Sequence, residues 1–171
     1  MSHISEFQKA ADWAAVMSQY PEITFLFHGI NDFHGSGPDE RAATLELLDI
    51  YEGDNFFYTL DAGPVMHADG IDSSSSIGMD TGDGAVLTSL VDAYGRQKLA
   101  EHVYSEYSKE IIDHPDQLMF GTDFLAEWHF EDAANDVIID FARRFIGLLL
   151  EEIQEAFAYK NGVRAFGKYL D

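Results

Sequence analysis

Three polar residues stand where apolar runs of the sequence end. His28 closes Phe25-Leu26-Phe27, Asp61 closes Phe56-Phe57-Tyr58-Thr59-Leu60, and Asp123 follows Met119-Phe120-Gly121-Thr122. An imidazole and a carboxylate placed this way suit divalent metal binding and proton handling on the metal's water. In parallel α/β folds the C-terminal ends of strands face the active site, so position more than residue type singles these three out. Each has an ordinary alternative: Asp123 as the cap of the turn after Gly121-Thr122, Asp61 as a loop anchor or substrate contact, His28 as a plain strand-end histidine. Glu127-Trp128-His129-Phe130 follows closely enough on the third run for Trp128 and His129 to line a substrate pocket.

The elements that must position these residues follow from hydrophobic spacing. Phe7, Ala10, Ala14 and Met17 predict a helix from about Ser5 to Gln19, ended by Tyr20-Pro21. Glu22 to His28 reads as a buried strand ahead of Gly29. Pro38 suits the first turn of a second helix, with Asp39 and Glu40 at its positive end and Ala43, Leu47 and Ile50 on its apolar face. Gly53 breaks that helix, and Asn55 to Asp61 reads as a second strand. From Ala62 to about Gly84 the chain is rich in Gly, Ser and Asp without periodicity, which suggests a mobile or functional loop. Helix resumes by Val86, is interrupted at Gly95 and continues past Ile111 until His114-Pro115. A third strand spans Gln117 to Asp123. Ile138, Phe141, Phe145 and Leu149 then line a long helix, and Leu150 to Phe166 supplies one or two more.

Strands that are apolar on both faces and separated by helices imply an α/β fold with a parallel sheet and helical crossovers, the helices lying outside. With 171 residues, 46% of them hydrophobic, the chain is expected to form a single domain. There is no cysteine, so disulfides, thiolate metal sites and cysteine nucleophiles are excluded. The 31 acidic and 10 basic residues give a formal net charge of -21, which argues against nucleic acid as a partner and leaves two explanations, a salt-adapted protein or an acidic surface that merely keeps the protein soluble. No run of about 18 apolar residues is present and the first residues lack the regions of a signal peptide, so a soluble cytoplasmic protein with no membrane partner is expected.

The strands and their neighbours, taken in order, resemble the last part of an amidohydrolase-related barrel. Tyr20 to Gly29 is similar to that family's sixth strand, Asp54 to Asp61 to its seventh, Pro115 to Asp123 to its eighth, and Ala158 to Gly167 to its terminal helix. The resemblance implies the C-terminal portion of a TIM-type (β/α)8 barrel. It further implies a metal-dependent hydrolase whose divalent ion, zinc by expectation, activates water against a small-molecule substrate by hydrolysis or in a decarboxylation. On that resemblance Asp123 coordinates the metal and takes a proton from water, and His28 polarises the substrate or steadies the oxyanion.

The departures are as specific. The family's first strand supplies a His-x-His pair, whereas His3, His28, His34, His67, His102, His114 and His129 contain none. A complete barrel takes about 250 residues and eight strands, against the three strands read here. Catalytic zinc normally has three protein ligands, so the site is expected to be incomplete in this chain. The alternative is a non-catalytic barrel segment, an interaction module or half of a split enzyme, that associates with itself or with a missing N-terminal half-barrel. His67 is a weaker replacement ligand. The acidic stretches Asp69 to Asp72 and Asp80 to Gly84 lack EF-hand spacing, and no G-x-G-x-x-G follows a strand, which removes calcium-loop and dinucleotide readings. A small α/β binding domain with a pocket at the strand ends is the third reading.

Overall fold

The computed structural model describes residues 9–28, 37–60, 83–122 and 127–167. Helix α1 (Ala10–Gln19) leads to strand β1 (Phe25–His28), helix α2 (Gly37–Ile50) and strand β2 (Phe56–Leu60). Helices α3 (Gly84–Tyr94) and α4 (Arg96–Asp113) precede strand β3 (Leu118–Phe120) and a short 3-10 helix (Glu127–Phe130). The chain continues through α5 (Asp132–Leu148), α6 (Glu151–Glu155), a π turn (Ala156–Lys160) and α7 (Asn161–Phe166). Two compact units divide these elements: Met1–Asp61 with Lys109–Phe120 and Glu152–Asp171, and Ala62–Ser108 with Gly121–Glu151.

The first unit holds a three-stranded sheet in the order β1-β2-β3, both pairs parallel. This is the mixed α/β architecture with parallel strands that the apolar runs imply, although each strand is shorter than its run. Phe27 stands opposite Tyr58, and Tyr58 opposite Leu118, so these three share one face. Helices α1 and α2 cover that face: the Trp13 ring meets Phe27 edge-on at 4.9 Å, and the Thr44 hydroxyl donates to the Tyr58 oxygen at 3.4 Å. Leu26, Phe57 and Met119 lie on the other face, where they pack with Ala165 of α7. The Arg164 guanidinium lies 5.4 Å from the centre of the Phe57 ring. Helices therefore sit on both faces, where the sequence led us to expect them only outside. Parallel sheets are normally covered on both faces, and here Ala165 of the terminal helix covers Phe57, Met119 and Leu26 on the second.

Side-chain amides lock this unit together. The Asn55 amide nitrogen reaches the carbonyls of Tyr20 at 3.1 Å and Ile23 at 2.9 Å, tying the turn after α1 to the start of β2. Tyr51 donates to the Asn55 side-chain oxygen, and the Tyr51 phenol pKa is raised, chiefly by burial. Buried Asn161 gives its two amide protons to the carbonyls of Pro115 and Leu118, both at 2.7 Å. Arg164 pairs with Asp116 at 3.3 Å beside them. The terminal helix is thus anchored at the entry of β3, near the N-terminal ends of the strands.

In the second unit α3 packs on α5. Asp83 caps α3 by accepting from the amides of Ala85 (2.7 Å) and Val86 (3.3 Å). Gly84 donates to a Glu131 carboxylate oxygen at 3.1 Å, and a Cβ there would come within 2.9 Å of the Ala134 nitrogen, so the close approach of α3 to α5 requires glycine. Gly95 separates α3 from α4 with φ at +102°, where the sequence placed an interruption. Phe141 and Phe145 stack at 5.7 Å within the core.

Candidate functional site

Parallel pairing brings the C-terminal ends of β1 and β2 level. His28, the last residue of β1, stands opposite Thr59. Both lie on the face of Leu26, Phe57 and Met119, at the opposite strand end from the Asn161 anchor. They are half-buried, whereas Phe56, Phe57, Tyr58 and Leu60 of β2 are buried. The sheet therefore presents an imidazole and a hydroxyl at one end of a face whose other end is plugged by Ala165 and Arg164.

The backbone under His28 is fixed from the second strand. Tyr58, wholly buried, donates its hydroxyl proton to the His28 carbonyl at 2.8 Å. The Thr59 hydroxyl reaches the Phe27 carbonyl at 3.3 Å. These contacts hold the backbone at the end of β1 in place. Tyr58 and Thr59 were legible only as members of an apolar strand; no spacing in the sequence marks them as supports for a histidine.

Asp61 and Asp123 lie outside the described residues, as do His34, His67 and the acidic stretch through Gly82. Trp128 and His129 belong to the 3-10 helix of the second unit, whereas His28 belongs to the first. Their rings meet edge-on at 4.2 Å, and His129 is fully buried. Trp128 lines an open groove of about 520 Å³ with Glu127, Phe130 and Glu131, and Phe130 is 66% exposed there. Phe130 and Glu131 are lining residues that the sequence reading did not single out.

Among the described residues no three histidines, aspartates or glutamates stand together as a metal-ligand group. His28 is the one candidate ligand described at the strand ends, short of the three protein ligands of catalytic zinc. The described side chains do not make up a complete metal site. No helix among the described residues is long and apolar enough to cross a membrane. In comparisons with family models, curated proteins and solved structures, nothing matches this chain.

Proposed function

We propose that this chain is an amidohydrolase-related barrel segment that contributes strand-end residues to a metal-dependent hydrolase, with a small molecule as substrate. The observation that carries the reading is the sheet itself: three parallel strands, hydrogen-bonded in chain order, with His28 and Thr59 level at one end of a single face. Chain-order parallel pairing is what successive βα units of a barrel have. A divalent ion, held by Asp123 with ligands from strands beyond these three, would supply activated water. His28 donates a hydrogen bond to the oxygen on which charge develops, and Tyr58 keeps the end of its strand in place as it does so. Fold alone does not choose between hydrolysis and decarboxylation.

The test is to express the chain together with a half-barrel that supplies the missing His-x-His strand and to measure metal content and hydrolysis for wild type and Asp123→Asn. We expect bound metal only in the joined protein, and a loss of at least about a hundredfold in rate for the variant. An unchanged rate in Asp123→Asn would leave that residue as a turn cap.

A second reading is supported by the terminal helix. Because α7 covers the second face of the sheet, the first unit has its apolar faces closed within one chain, as a free-standing binding module requires. In that case the chain holds no metal alone or joined, and His28 and Thr59 form a recognition patch.

A further inference from the structure

We infer that the groove at Glu127, Trp128, Phe130 and Glu131 binds a small organic cation, an alkylated ammonium ion free in solution. The site lies in the second unit and stands apart from the hydrolase reading. Its described lining is two carboxylates and two aromatic rings, supplied by the 3-10 helix Glu127–Phe130 and the residue after it. None of these lining residues is basic. At about 520 Å³ the groove has the size of a small-molecule site.

The other contacts of these residues are compatible with that role. Trp128 is buried and meets the His129 ring edge-on at 4.2 Å, so its indole is a fixed wall. Phe130 is 66% exposed, more than any other large apolar side chain described. Glu131 accepts from the Gly84 amide at 3.1 Å, which holds its carboxylate in position and leaves its charge in place. Glu127 is exposed.

Charge and hydration select the occupant. An anion would meet both carboxylates in a molecule of net charge -21. The positive end of α5 begins beside the groove but is already matched by Asp132 in its first turn. A metal ion lacks ligands, since no three candidate donors stand together among the described residues. An alkylated ammonium ion presents positive charge through an apolar shell, which suits aromatic rings and carboxylates together. The phosphate of a lipid headgroup would be repelled by the same carboxylates, which favours the free ion.

The chain has two tryptophans, Trp13 in the first unit and Trp128 at the groove, so their indole N–H signals in a proton–nitrogen spectrum serve as control and reporter. Trp13→Phe assigns them. As choline chloride replaces potassium chloride at constant ionic strength, we expect the Trp128 signal to shift and saturate with a midpoint of roughly 1–10 millimolar, and the Trp13 signal to stay. Dimethylbutanol, the neutral carbon analogue of choline, should need at least about fivefold more. Phe130→Ala and Glu127→Gln, both at exposed positions, should each weaken choline by about three- to fivefold. Phosphatidylcholine vesicles should leave the chain in the supernatant. The inference is overturned by a Trp128 signal that does not saturate, by equal responses to choline and dimethylbutanol, or by a midpoint that neither variant changes. A chain that pellets with the vesicles overturns it as well, by making the ligand a headgroup.

Discussion

Asn161 carries more of the fold than its type suggests. Its two amide protons satisfy two main-chain carbonyls at the entry of β3, and alanine there would leave the buried Leu118 carbonyl and the half-buried Pro115 carbonyl without their donor. We expect Asn161→Ala to lose about 2–4 kcal/mol of stability in urea unfolding. Asn161→Asp should fare no better, since a carboxylate oxygen would face a carbonyl oxygen. At this scale His28 was legible because a polar residue ending an apolar run stands out against its neighbours. Asn161 and Tyr58 were not, because their partners lie 43 and 30 residues away and nothing local signals them.

The helices were the most legible elements, since their apolar periodicity is repeated over several turns. Gly95 was readable as a break because few other residues adopt its positive φ. The strands came out shorter than their apolar runs: β3 keeps only Leu118 to Phe120, the stretch that finds ladder partners on β2. What holds helix to helix was hidden in the sequence. Asp140 of α5 accepts from Arg144 at 2.8 Å and from Arg96 of α4 at 3.4 Å, while Arg96 also pairs with Asp92 at 2.5 Å. The hydrogen bond from Arg144, helped by Arg96, holds the Asp140 carboxyl below its ordinary 3.8. A carboxyl whose pKa is lower folded than unfolded contributes stability above its unfolded value, and that contribution is lost as pH falls through the folded one. Thermal midpoints measured downward from about pH 5 should therefore fall less steeply in Asp140→Asn than in wild type, with the variant already lower at neutral pH.

For the whole molecule, charge was the feature most directly readable and the one with the broadest effect. At about 0.1 M salt the Debye length is roughly 10 Å, long enough for carboxylates distributed over 171 residues to repel, and near 3 Å at 1 M it is not. We expect the thermal midpoint to rise between dilute buffer and molar potassium chloride; a flat response would remove the salt-adapted reading. The division into two units was not legible. The units are interleaved along the chain, so no shift in composition marks their limits.

That interleaving governs how the protein is made. The first unit draws on three separate stretches, and β2 acquires its neighbour β3 only after the intervening helices have been synthesised. Its second face acquires Ala165 later still. On a ribosome adding about 5–20 residues per second, the nascent chain carries Leu26 and Phe57 without Ala165 for roughly 5 seconds or more, of which about 1–3 seconds fall after the second unit has been synthesised. Until that helix emerges, the apolar part of this second face has no cover from α7.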